Sequence, residues 1–181
     1  MARLKRFASA VAALLLAAAT APAARAQDGL RLAEQDIKAG LLYNFLRYTQ
    51  WPAAHTDPIV CVYGHDPFNG RLAPMSGRTV NQHTIQVRTI RAASEIDACS
   101  ILVVNAEERG RWPQLRSYLL RRNVLTVSDY DGFARSGGMV EFTRINSRIG
   151  VRINVEAVNA ADLTVQDRLL RLASVVRTEA P

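Results

Sequence analysis

The side chains able to do chemistry in this chain are three histidines, two cysteines and a scatter of carboxylates. His55, His65 and His83 stand far apart and lack metal-ligand spacing, and no H-E-x-x-H pair occurs. No serine sits in G-x-S-x-G, so no nucleophile is set up for acyl transfer. Asp129 and Asp131 lie two residues apart in S-D-Y-D-G, where short acidic side chains cap and turn the backbone rather than catalyse. Glu107-Glu108 reads as a solvated loop. Nothing supplies nucleophile, base and orienting group together. The expectation is no catalytic residue, no metal, no cofactor and no enzyme.

Two stretches carry turn chemistry that would suit a ligand. Gly64-His65-Asp66-Pro67-Phe68-Asn69-Gly70 follows an apolar run, with Asp66 as a helix N-cap and Pro67 at the first helical position. A strand, a glycine turn and a helix start together make a place for anions. The signal is weak, because neither G-x-G-x-x-G nor G-x-x-x-x-G-K is present. The second stretch, Val124 to Phe142, sets a glycine-hinged loop between two apolar runs. Gly132 and the pair Gly137-Gly138 free the backbone there, and Phe133 is a large apolar plug between them. Such a loop either binds something or closes the fold tightly. Gly64, Asp66, Asp129, Gly137 and Gly138 are the candidate ligand-loop residues.

The elements that must position these residues follow from the leader onward. Arg3, Lys5 and Arg6, an apolar run from Ala8 to Ala19 and the triplet Ala24-Arg25-Ala26 form a secretory signal peptide, residues 1–26. The run is too short for a span of about 20 residues. The expectation is export to the periplasm with cleavage after Ala26, leaving residues 27–181 as one domain that does not span the membrane. The leader holds four basic residues and no acids, so the net charge of +7 falls to +3 without it. Of the 23 basic residues 21 are arginine, scattered and not interleaved with aromatics, which argues against nucleic acid as a partner. Cys61 and Cys99, in an exported chain, are either bridged or two buried thiols.

Leu32 to Tyr48 reads as an amphipathic helix through Ile37, Leu41, Phe45 and Tyr48, widened by Leu42 and Leu46 and stopped at Trp51-Pro52. Ile59 to Tyr63 and Ile101 to Val104 are fully apolar runs, as expected of buried strands. Thr84 to Arg91 suggests an outer strand, and Ser94 to Ala98 a short helix. Trp112 to Arg122 is helical with Leu115, Leu119 and Leu120 inward, and Val124 to Val127 is a strand. Strands alternating with helices give an α/β layered domain. Met139 to Thr143 and Arg148 to Ile153 then form an antiparallel hairpin through Asn146-Ser147. Val155 to Ala161 is a short helix. Thr164 opens a longer one, with Asp167 as its capping partner and Val165, Leu169, Leu172 and Val176 as its stripe. The fold class is therefore α/β: a single layered domain with a mixed sheet of about five or six strands, helices on its faces, and a C-terminal hairpin plus helix.

Taken together, KAGLLYNFLRYTQWP (Lys38 to Pro52), CVYGHDPF (Cys61 to Phe68), VLTVSDYDGFARSGGMVEF (Val124 to Phe142), IGVRIN (Ile149 to Asn154) and LLRLASVV (Leu169 to Val176) resemble the YfiR family of periplasmic proteins, the DUF4154 domain. The likeness runs from about Ile37 to Val176. It implies a layered α/β fold that forms homodimers, and a regulatory role without catalysis. Relatives hold an inner-membrane diguanylate cyclase inactive by binding its periplasmic sensor region. An outer-membrane lipoprotein of the OmpA type draws the repressor away, raising cyclic-di-GMP and biofilm output. The resemblance also implies that Cys61 and Cys99 form a disulfide, and it leaves no cysteine for the second pair that some relatives carry.

On that reading the partner surface is the final hairpin with its following helix, through Val140, Phe142, Arg152 and Val158, although these residues serve equally well to finish a core. Two other readings stand beside it. One is a periplasmic sensor of a small ligand, built on the two glycine loops. The other is an accessory domain for a different membrane partner, such as a histidine kinase. A sensor calls for a concave site with converging arginines, and a protein-binding module for an exposed apolar patch.

Overall fold

The computed structural model describes residues 21–52, 57–146 and 148–179. Residues 1–20 of the expected leader and His55 lie outside them, while 21–26 fall within the first helix. The chain divides into two compact units, residues 1–35 and residues 36–181. In its described part the first is helical, and the second holds the sheet.

In chain order the elements are α1 (Ala21–Tyr48), β1 (Thr49–Gln50), β2 (Ile59–Tyr63), β3 (Thr79–Val80), β4 (His83–Thr84), β5 (Gln86–Ile90), β6 (Ile101–Val104), α2 (Trp112–Leu119), β7 (Leu125–Ser128), β8 (Val140–Ile145), β9 (Arg148–Asn154), α3 (Val155–Ala160), β10 (Thr164–Val165), α4 (Asp167–Leu170) and β11 (Ser174–Val176). Single 3-10 turns fill Ala73–Met75, Ala93–Ala98 and Ala106–Arg111.

Seven strands form one mixed sheet in the order β11-β9-β8-β7-β6-β2-β5. From β5 to β8 every neighbouring pair is parallel; β8 and β9 are the antiparallel hairpin, and β11 runs parallel to β9. The architecture is the α/β layered domain that the alternation of strands and helices predicts. Side-chain alternation on the inner strands feeds two cores. Val60, Val62, Ile101, Val103, Leu125 and Val127 point to the face that carries Leu42, Phe45 and Leu46 of α1. Cys61, Tyr63, Leu102 and Val104 point to the other, with Trp112, Leu115 and Leu119 of α2. Strands buried on both faces have no polar side to show, which is why these runs are continuously apolar.

Four local readings are corrected. The buried stripe of α1 is Ala39, Leu42, Phe45 and Leu46, and Ile37 is exposed; the helix is rotated from the face that Ile37, Leu41 and Tyr48 suggest. No helix starts at Asp66. Its carboxylate instead accepts from the amides of Phe68 and Gly70, both at 2.8 Å, and positive φ at Asn69 and Gly70 ends any helical path. α2 stops at Leu119, because Leu120 turns extended and Arg121 takes φ 60°, so Leu120 leaves the inward stripe and is exposed. The long C-terminal helix is absent. Thr164–Val165 pairs with Thr49–Gln50, α4 is a single turn, and the β-branched Val175-Val176 joins the free edge of β9. The small hairpin β3–β4 went unread, since its turn uses Asn81 (φ 48°) and Gln82 (φ 72°) rather than the Asn-Gly that would announce it.

Candidate functional site

The loop from Asp129 to Met139 connects two parallel neighbours, β7 and β8, without a helix. Its backbone polar groups pair partly in turns, Ser136 with Gly132 and Gly138 with Phe133, both at 2.9 Å, and partly with side chains. Glu141 on β8 has no exposed surface, and its Oε2 accepts the Ala134 amide at 3.0 Å. Its Oε1 takes the Arg152 guanidinium at 2.5 Å, and the same guanidinium reaches Asp131 at 2.9 Å. Asp131 and Glu141 hold Arg152 even more firmly protonated than an ordinary arginine. Asn154, also fully buried, donates to the Ala134 carbonyl and to Thr178 Oγ1, both at 2.8 Å.

Phe133 is the plug its position predicts. Its ring is fully buried, 4.5 Å from Trp112 and 5.1 Å from Tyr130, edge-on to the latter. Burial pushes the Tyr130 phenol up. Trp112 donates its indole N–H to the Ser136 carbonyl at 3.1 Å, and Ser128 donates to the Val104 carbonyl at 2.7 Å. Lys38 of α1 pairs with Asp129 at 3.0 Å. Gly138 lies so close to Phe133 that a Cβ there would collide with the ring, and Gly137 (φ 91°) lies against the Arg116 guanidinium. This loop is tied on every side. Asp129 and Gly138 take part in these ties, and Gly137 also lines a cavity of about 240 Å³ with Arg116 and Trp112.

Gly64 and Asp66 are elsewhere, lining a cleft of about 450 Å³ beyond the carboxyl ends of β2, β5 and β6. β2 ends at Tyr63, and Gly64 turns the chain at φ 89°. A Cβ on Gly64 would come within 2.9 Å of Glu108, so the tuck needs glycine. Asn105, just past β6, donates to the His65 carbonyl at 2.6 Å and accepts the Glu107 amide at 2.8 Å. It thereby fixes the two walls to each other. Arg91 and Arg111 reach this cleft, with Glu107 and Glu108 beside them. The structure thus places the two glycine loops at separate concavities: Gly64 and Asp66 at this cleft, and Gly137 at the smaller one beside Arg116 and Trp112.

Of the hairpin residues, Val140, Phe142 and Val158 are buried in the core, which leaves them no surface for a partner. Arg152 is committed to Glu141 and Asp131. The exposed large apolar side chains of this C-terminal region are Ile145 at the hairpin tip, Leu172 and Val175. Val175 lies on β11, which among the described residues stands at the edge of the sheet with one side unpaired. The cysteines are bridged: Cys61 and Cys99 join with Cα atoms 5.8 Å apart, both side chains buried. Sequence reasoning gave no role to Glu141, Lys38 or Arg91, and read Glu107 only as part of a solvated loop. A carboxylate inside the apolar run Met139-Val140-Glu141-Phe142 was the available signal, since a buried strand position demands a partner for it.

Among the described residues no group of three or more histidine, cysteine or acidic side chains could hold a metal ion, and no helix is long and apolar enough to cross a membrane. No curated protein matches the chain. Among solved structures it resembles an ABC domain in complex with L-Trp from Streptococcus pneumonia, at 10% identity and a TM-score of 0.50. That match covers 74% of this chain and 59% of the other, so the chain spans under two thirds of that protein. At this identity the likeness concerns the fold. The family model described as YfiR/HmsC-like, DUF4154, matches residues 35–174, and the chain belongs to that family.

Proposed function

We propose that the chain is a periplasmic regulatory protein that binds the periplasmic sensor region of an inner-membrane diguanylate cyclase and holds the cyclase inactive, without catalysis of its own. The observation that carries this reading is membership of the YfiR/HmsC-like family across residues 35–174, nearly the whole of the unit that holds the sheet. Inhibition then works by differential binding: the chain binds the inactive sensor better than the active one, and a partner indifferent to the two states would change nothing. With Val140, Phe142 and Val158 in the core, the docking surface on this reading is the exposed apolar set of the C-terminal region, Ile145 at the end of β8, Leu172 after α4 and Val175 on β11. An edge strand with a free side suits addition of a partner's strand. Release by an outer-membrane OmpA-type lipoprotein and assembly as a homodimer complete the proposal, together with export after removal of residues 1–26.

Cyclic-di-GMP measured in cells with and without the gene tests it. The expected result is a rise on deletion that an exported copy reverses and a leaderless copy does not. An unchanged level, in a strain where the protein is shown to reach the periplasm, would turn the reading to an accessory domain for another membrane partner such as a histidine kinase.

A further inference from the structure

The five parallel strands from β5 to β8 stand in the order β5-β2-β6-β7-β8. The chain leaves β2 for β5 on one side, then crosses back past β2 to reach β6 on the other. Connections diverge at that reversal and leave a crevice beyond the carboxyl ends of β2 and β6. In open α/β sheets such a crevice is where ligands bind. Here it is a cleft of about 450 Å³, inside the range of roughly 300–1,000 Å³ for small-molecule sites.

Its lining defines the guest. Asp66 has both carboxylate oxygens taken by loop amides, and Glu108 is paired with Arg111 at 3.5 Å. Among the described residues no hydrogen bond or ion pair engages the Arg91 guanidinium or the Glu107 carboxylate, and both side chains are exposed at the cleft. The one large ring in the lining, Tyr63, is buried, so the walls offer little apolar area to an aromatic or aliphatic body. Beside the exposed His65 imidazole, one unengaged guanidinium and one unengaged carboxylate in a polar crevice match a molecule that carries both charges; a plain anion or a plain cation would meet repulsion from one of them. The walls are preorganised. The Cys61–Cys99 bridge ties β2 to the segment entering β6, and Asn105 links the two loops above them.

We propose that the cleft between the ends of β2 and β6 binds a compact zwitterionic metabolite, its carboxylate on Arg91 and its ammonium on Glu107. The site stands apart from the cyclase reading, and cyclic-di-GMP levels do not bear on it. Titration calorimetry on the protein purified from the periplasm tests it with glycine, L-alanine and L-serine as probes, and acetate and ethylammonium as the separate halves. The expected result is saturable binding of at least one zwitterion at concentrations where neither half binds. Arg91→Ala and Glu107→Ala should each weaken it by about tenfold or more, the loss of a charge-assisted hydrogen bond, with the melting temperature of the free protein unchanged. Three results would each overturn the proposal. They are no binding of any of the three zwitterions at millimolar concentration, equal binding of a half, and variants of unchanged melting temperature that bind like the wild type.

Discussion

At the scale of single residues, the Glu141 carboxylate governs more than its size suggests. It is fully buried, it caps the Ala134 amide, and its charge is balanced by Arg152 alone of the charged residues it bonds. Arg152 touches two acids, but they are unequal: Asp131 is almost wholly exposed and Glu141 is not exposed at all. An exposed pair is worth at most about 1 kcal/mol, whereas removing one partner of a buried pair strands a charge and costs about 3 kcal/mol or more. Arg152→Ala should therefore destabilise by about 3 kcal/mol, the lower end because its guanidinium keeps some solvent contact, and Asp131→Ala by less than about 1 kcal/mol. Chemical denaturation of the two variants measures the contrast. Equal losses would mean that the carboxylate inside the strand is not the partner that counts. Arg152→Ala also reports on the loop, since an unpaired Glu141 holds the Ala134 amide less firmly and the segment around Phe133 should lose protection from hydrogen exchange, which Asp131→Ala should leave in place.

At the scale of elements, the ends of α2 show what a helical stripe can and cannot say. Leu115, Leu119 and Leu120 share a helical face only if the helix continues, and it stops at Leu119. Leu119 is buried beneath Trp112 and Leu115 in the second core, and Leu120 is exposed. Leu119→Ala should cost about 2 to 5 kcal/mol and Leu120→Ala almost nothing, a difference that thermal melts of the two single variants resolve. The strands were legible for a simple reason. Ile59 to Tyr63 and Ile101 to Val104 are apolar at every position, and only burial on both faces asks for that. The C-terminal segment was not. Val165, Leu169, Leu172 and Val176 fit a helical period, but two of them lie on short strands whose formation depends on edges made elsewhere, β1 for Thr164–Val165 and β9 for Ser174–Val176. Tertiary pairing overrode the local period. The candidate site divides in the same way. Gly64 and Asp66 announced a turn, but which loop would face them depended on strand order, which no local pattern carries, so Arg91 went without a role and Glu107 read as a solvated loop.

At the scale of the whole molecule, the two cores lie on opposite faces of one sheet and share its strands. Val60 and Val62 serve one face while Cys61 and Tyr63 serve the other, so no strand can lose its partners on one side and keep its place on the other. The two layers should therefore melt together. The Cys61–Cys99 bridge sits in the second core and spans 38 residues of chain. In the chain-entropy account a bridge of that reach removes freedom from the unfolded state worth roughly 3 to 4 kcal/mol. Cys61→Ser/Cys99→Ser should lower the melting temperature of the whole sheet as a single transition, with circular dichroism of the backbone and near-ultraviolet signals from Trp51 and Trp112 moving at the same temperature. Trp112 packs in the second core and Trp51 against the first, so in the Trp51→Phe and Trp112→Phe backgrounds the remaining ring watches one layer each. If the bridge acted only on its own face, the Trp112 signal would move first and the Trp51 signal would stay at the wild-type midpoint. The alternation along β2 says that it cannot, because Cys61 has Val60 and Val62 as its direct neighbours in the chain.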